Sequence, residues 1–191
     1  MKVIQLYTKE SELIKKAITN NREAQHVLFE QYAPKMLSVC RYYIKDVHQA
    51  EEAMLNGFFK VFTQLKTFRN EGNFEGWIRR IMVRESISYL RSKRSFEQLE
   101  EDVNEVVETE NLETNLVEIQ LNVADIQQLI DQLPEGYRAV FVMYALEGYK
   151  HHEIAQLLNI SEGTSKSQLF KARKLLQKQV VKLKSMENGT R

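Results

Sequence analysis

The chain has 191 residues, 27 Lys and Arg against 26 Asp and Glu, with 43% hydrophobic and 28% charged residues. Such values suit one large or two small folded domains and exclude a chain too polar to collapse. A single cysteine, Cys40, excludes a disulfide framework or a cysteine-rich zinc module, and no apolar run approaches the roughly 18 residues that span a bilayer. The opening Met1-Lys2-Val3-Ile4-Gln5-Leu6-Tyr7 is too short and polar for a secretory signal, so a cytoplasmic protein with no membrane partner is expected.

Charge is distributed unevenly. Residues 1–95 hold 17 Lys and Arg against 10 Asp and Glu, residues 96–131 hold 11 Asp and Glu with no Lys or Arg, and residues 132–191 hold 10 against 5. Two basic blocks around an acidic strip form a domain–linker–domain pattern. Like charges at that density resist compaction, so 96–122 is expected to be a flexible acidic linker between domains at 1–95 and 123–191.

The periodicity is helical nearly throughout, and an all-α chain with two small helical domains is expected. In 24–44 the apolar residues Val27, Leu28, Tyr32, Met36, Val39, Tyr42 and Tyr43 recur at three- and four-residue steps, with Pro34 as a kink or a new start. Asp46-Val47-His48-Gln49 has the form of a capping box. It opens a helix whose inner stripe is Val47, Ala50, Met54, Phe58, Val61 and Leu65. Asn70, Gly72, Asn73 and Gly76 make Thr67 to Gly76 a loop, followed by a helix from Trp77 to Arg94. Past the acidic strip, Val123, Ile126, Ile130 and Leu133 line a helix ending at Pro134, and further helices are expected at 135–147, 151–158 and 162–184.

The stretch from His151 to Thr164 reads as helix, turn, helix. Ile154, Ala155 and Leu158 supply a buried stripe, Asn159 can take the left-handed conformation that ends a helix, and Ser161 can cap the next one. In that second helix Ser165, Leu169, Ala172, Leu176, Val180 and Leu183 share one face. Lys166, Ser167, Lys171, Lys174 and Lys178, with Arg173 beside them, take the other. A basic second helix after such a turn fits the major groove, where cations neutralise phosphates and short polar side chains reach base edges. In the N-terminal block the only tryptophan, Trp77, stands beside Arg79, Arg80 and Arg84, with Arg91 and Arg94 further on. Aromatics among cations suit unstacked single-stranded bases.

These stretches resemble the extracytoplasmic-function class of bacterial RNA polymerase sigma factors. Glu51-Glu52-Ala53-Met54-Leu55-Asn56-Gly57-Phe58-Phe59-Lys60-Val61-Phe62 and Asn73-Phe74-Glu75-Gly76-Trp77-Ile78-Arg79-Arg80-Ile81-Met82-Val83 resemble sigma region two. Leu133-Pro134-Glu135-Gly136-Tyr137-Arg138, Glu153-Ile154-Ala155 and the run from Gly163 to Arg173 resemble region four. The resemblance implies binding to core polymerase, at its largest-subunit clamp helices and flap, recognition and melting of promoter DNA, and an anti-sigma factor as a further partner. It implies polymerase contacts at Glu51, Glu52, Leu55 and Phe59. It implies minus-ten contacts at Phe74, Trp77, Arg79, Arg80, Arg84, Ser88, Arg91 and Arg94. Minus-thirty-five contacts are implied at Ser161, Thr164, Lys166, Ser167, Gln168, Lys171, Arg173 and Lys174.

The chain departs from the usual pattern at Leu55-Asn56, Arg84, Ser88, Lys150, Ser165 and Gln168. Lys150 forfeits a helix cap worth about 0.5–2 kcal/mol, and Gln168 in place of an arginine shifts base preference from guanine toward adenine. No catalytic residue, metal site or cofactor is expected: His151-His152-Glu153 lacks the i, i+4 histidines of a zinc helix, and there is no phosphate-binding glycine loop. The alternative is a helix-turn-helix regulator whose first 95 residues sense a ligand or dimerise.

Overall fold

The computed structural model describes residues 2–68, 72–93 and 123–188, with side chains described over 10–68, 72–93 and 124–183. The acidic strip 96–122, Arg94 and the loop residues 69–71 lie outside the described residues. Every regular element among those described is helical, as the periodicity predicts. The chain divides into two compact units, Met1–Tyr89 and Leu90–Arg191.

The first unit holds α1 (Lys2–Ile18), α2 (Arg22–Tyr43), α3 (Val47–Gln64) and nearly all of α4 (Phe74–Ser92), with a 3-10 turn at Leu65–Thr67. Polar caps set its boundaries. The Asn21 side chain accepts from the Ala24 amide at 2.9 Å to start α2, and Asp46 accepts from the Gln49 amide at 2.9 Å to start α3. Asn20, at φ 62°, turns the chain between α1 and α2. Pro34 sits inside an unbroken α2, with Tyr32 and Met36 buried on either side of it, so packing outweighs the hydrogen bond that proline cannot donate. Val47, expected in the inner stripe of α3, is 47% exposed, because the first residue after the cap stands beyond the packed surface that begins at Ala50. Ala53 and Gly57 join that stripe.

Gly57 lets α3 and α4 approach closely. A methyl group there falls on Sδ of the fully buried Met82, with the Met82 Cε 2.9 Å away. Gly57→Ala is expected to destabilise this unit by no more than about 1–2 kcal/mol, because overpacking against the flexible end of buried Met82 is partly offset by about 1 kcal/mol of helix propensity. A urea transition left in place would show that Met82 has room to move.

The second unit contains α5 (Val123–Asp131), α6 (Glu135–Phe141), α7 (His151–Leu158) and α8 (Glu162–Asn188). Helices α5, α6 and α7 all pack on α8, around Ile130, Leu133, Val140, Met143, Ile154, Leu158, Leu169 and Ala172. The helix expected over 135–147 is not regular. After Phe141 it widens into a π-turn, Val142–Leu146, with the Glu147 amide bonded to the Val142 carbonyl at 3.0 Å. The turn closes on Gly148 at φ 75°, where an L side chain is strained. The extra residue rotates Tyr144, Ala145 and Leu146 outward, while Val142 and Met143 stay buried.

Candidate nucleic-acid interface

On α4 the cap decides which residues reach the surface. The Asn73 side chain accepts from the Glu75 amide at 2.9 Å, so the helix begins at Phe74, three residues before the expected start. Phe74 is thereby turned inward, 2% exposed, edge-on to Tyr32 at 5.6 Å and 5.0 Å from Phe68. At 2% exposure Phe74 takes a core role in place of the DNA contact expected of it, and it also lines an open cavity beside this cluster. Trp77 stacks on Phe74 at 5.8 Å and lies 5.5 Å from Phe68, but it remains half-buried at the rim of this cluster.

Beyond Trp77, Arg80, Arg84, Ser88 and Arg91 are all exposed. Their spacing of four, four and three residues lines them along one helix face. Arg79 is half-buried, and Arg80 Nε donates back to the Gly76 carbonyl at 3.3 Å. Beside the aromatic cluster lies an open cavity of about 820 Å³, walled by Glu10, Tyr32, Lys35, Phe68, Asn73 and Glu75 among others. Lys35 Nζ holds Glu75 at 2.9 Å, and the Tyr32 hydroxyl donates to Glu10. Burial and the Glu10 carboxylate hold that phenol well above its ordinary range, so it stays protonated. Residues 1–23 carry no motif, so α1 and its contribution of Glu10 come from the fold alone.

Helix α3 shows a different surface. Leu55 is 55% exposed and Phe59 is 70% exposed. With Glu51 they repeat at four-residue steps on one face, and the exposed Glu52 lies beside them. His48 Nδ1 sits 3.6 Å from the Glu51 carboxylate. Leu55 and Phe59, exposed together one turn apart, form a small apolar patch on this face.

In the second unit the helix-turn-helix forms as its residues predict. Asn159 ends α7 at φ 56°, ψ 48°. The Ser161 hydroxyl accepts from the Thr164 amide at 2.9 Å to open α8. Lys150 has no acceptor to offer α7, but the Glu153 carboxylate accepts from the Lys150 amide at 2.7 Å, which recovers one half of the capping box. On α8, Lys166, Arg173 and Lys174 are exposed, and Lys171 is half-buried. Ser167 is half-buried, with its hydroxyl donating to the Thr164 carbonyl at 3.0 Å.

Two expected DNA contacts do not reach this surface. Thr164 is buried, its hydroxyl 2.8 Å from that of Ser161, and Gln168 is 3% exposed. Gln168 follows Ser165 by three residues and precedes Ala172 by four, which puts it in the inward stripe with Leu169. Its Oε1 finds no hydrogen-bond donor among the described residues. The expected shift toward adenine through Gln168 falls with that burial.

A contact missed by the sequence patterns joins the π-turn to α7 and α8. The Tyr144 ring stacks on that of His151 at 4.7 Å, and Arg173 Cζ lies 5.6 Å from the centre of the Tyr144 ring. His151 Nδ1 is 2.9 Å from the hydroxyl of buried Ser165. Burial lowers the His151 pKa, and Lys166 and Arg173 lower it further against an opposing pull from Glu162. A histidine that holds its proton less tightly when folded leaves stability intact above about pH 6.5 and removes it as the pH falls toward the folded value. The His151 ring resonances are therefore expected to titrate below about 6.5; a midpoint at or above that value would mean that the ring is not enclosed beside these cations.

Among the described residues no group of His, Cys, Asp and Glu is arranged to hold a metal, and no helix is long and apolar enough to cross a membrane. Cys40 is buried and its thiol is pushed up to about 11 by that burial, which leaves it unreactive near neutral pH.

The two units match known families in chain order. Residues 28–96 match sigma-70 region 2, and residues 124–176 match sigma-70 region 4. The chain is 28% identical over 180 residues to the ECF RNA polymerase sigma factor SigW of Bacillus subtilis, covering 87% of this chain and 94% of that one. It is 25% identical over 179 residues to the RNA polymerase sigma-H factor of Pseudomonas aeruginosa, covering 88% and 92%. With both regions in this order over well over half of its length, the chain belongs to the sigma-70 family, as a promoter-directing sigma factor of the extracytoplasmic-function class.

Proposed function

We propose that the exposed surfaces divide the work of initiation among them. The Leu55–Phe59 face of α3, with Glu51 and Glu52, docks on the clamp helices of core polymerase. The stripe of Arg80, Arg84, Ser88 and Arg91 holds the backbone of the melted minus-ten strand. Trp77 stacks on a base, and Arg79 and Arg94 supply further cations to the same strand. The cavity beside Phe68 and Asn73 accepts a base swung out of the duplex. A captured base repays part of the unstacking cost, so melting proceeds without ATP. The outer face of α8, through Lys166, Ser167, Lys171, Arg173 and Lys174 with Ser161 at its start, reads the minus-thirty-five element while the second unit faces the polymerase flap. An anti-sigma factor covers these surfaces in the resting cell.

The observation that carries this reading is the exposed run Arg80–Arg84–Ser88 beside half-buried Trp77, on a unit other than the one that carries the helix-turn-helix, with Arg91 continuing the run at the end of α4. A duplex-binding regulator needs no such second cationic face. In this reading 1–95 docks and melts, 96–122 links, 123–191 reads duplex DNA, and bond-making stays with the polymerase in the cytoplasm. Run-off transcription from genomic fragments, with core polymerase and with or without this chain, tests it. Discrete new transcripts are expected. No transcripts, alongside tight binding of the chain alone to palindromic duplex, would instead make the first unit a sensing or dimerising domain.

A further inference from the structure

Arg173 is an exposed arginine on α8, and its guanidinium is not left to wander. It lies 5.6 Å from the centre of the Tyr144 ring, within the range of a cation–π contact. Tyr144 is itself fixed. It projects from the π-turn Val142–Leu146, and its ring stacks on His151 at 4.7 Å with an interplanar angle of 24°. His151 in turn is tied to α8 through Ser165, at 2.9 Å. Ser165 and Arg173 stand eight residues apart, about 12 Å along the helix. The π-turn and α7 therefore hold α8 at two points, one buried and one at the surface. A regular helix through 142–146 would point Tyr144 elsewhere, so the irregular turn has an assignable consequence.

We propose that Tyr144 is a positioning residue for promoter DNA, holding the Arg173 guanidinium on its ring so that the cation meets a backbone phosphate already oriented. This rests on the reading of α8 as the minus-thirty-five element's reader. An arginine side chain free in water loses much rotamer freedom on fixing a phosphate. One laid on an aromatic ring has surrendered part of that freedom before DNA arrives, and its planar fork of N–H groups stays available at the edge. The ring face attracts the cation and offers no acceptor that competes with phosphate. Tyr144 acts here through its ring, not its hydroxyl.

The test is promoter affinity of the holoenzyme, assembled from core polymerase and the full chain, on a promoter identified by run-off, measured over a series of salt concentrations. Tyr144→Leu is expected to weaken binding by about two- to five-fold, and Tyr144→Phe to retain it. Arg173→Ala is expected to weaken binding and to lower the salt slope by about one; Tyr144→Leu, which keeps every charge, leaves the slope as it is. In an Arg173→Ala background, Tyr144→Leu is expected to cost nothing more. Pentafluorophenylalanine at position 144 guards against a packing artefact, because it keeps the ring's shape and reverses its quadrupole. It is expected to behave like Leu. The proposal is overturned if Tyr144→Leu costs the same with and without Arg173, if Tyr144→Phe is as weak as Tyr144→Leu, if the fluorinated ring behaves like Phe, or if Arg173→Ala has no effect. A wild-type holoenzyme that forms no promoter complex sinks the functional reading itself, and is told apart by that control.

Discussion

Phe59→Asp is expected to abolish transcription by the reconstituted holoenzyme while leaving the chain folded. Phe59 is 70% exposed and belongs to no part of the core, so the free protein should lose no more than about 0.5 kcal/mol of stability. An aromatic anchor at the centre of a docking surface typically contributes about 2–4 kcal/mol, or about 30- to 1000-fold in affinity. Aspartate adds to that loss the cost of burying an unpaired carboxylate. Core binding measured by fluorescence anisotropy, with the circular dichroism melt as control, separates the two effects. Wild-type affinity for core polymerase would remove the α3 face from the docking surface, and a collapsed melt would mean that Phe59 is packed in solution.

Phe74→Ala should have the opposite signature. Its ring is 2% exposed and meets Tyr32, Phe68 and Trp77. Truncating such a residue costs about 3–5 kcal/mol, a large part of the roughly 5–15 kcal/mol that holds a small domain together. Trp77, the only tryptophan, lies in the same cluster, so its fluorescence follows unfolding of this unit without signal from the helix-turn-helix. A urea midpoint shifted sharply downward is expected. An unchanged midpoint with failed promoter opening would return Phe74 to the DNA-binding set.

The helices and the turn between α7 and α8 were legible because each rests on short-range chemistry. Asp46, Asn159 and Ser161 announce caps and a left-handed stop wherever they fall, and the structure uses all three in that way. Gln168 was legible too, by spacing: the stripe of Ser165, Leu169 and Ala172 already contains position 168. Likeness to base-reading residues points this side chain outward and spacing points it inward, and at 3% exposure Gln168 follows the spacing. Phe74 was harder to place, because its burial follows from Asn73 starting α4 early, and an asparagine in a glycine-rich loop reads equally well as turn or cap. The Tyr144–His151–Arg173 contact was out of reach. A π-turn leaves no periodic signature over five residues, and the contact joins three elements that only the folded unit brings together.

The length of α8 has a mechanical meaning. It runs without interruption for 27 residues, about 40 Å at 1.5 Å per residue. Lys166 and Arg173 occupy its first half, and Val181 and Leu183, both exposed, stand near the far end, past the buried Leu169 and Ala172. No loop lies between the two halves to absorb displacement. The same continuous rod that presents Lys166 and Arg173 near its start therefore carries the exposed apolar pair Val181 and Leu183 near its end, with half-buried Leu176 and Val180 between them.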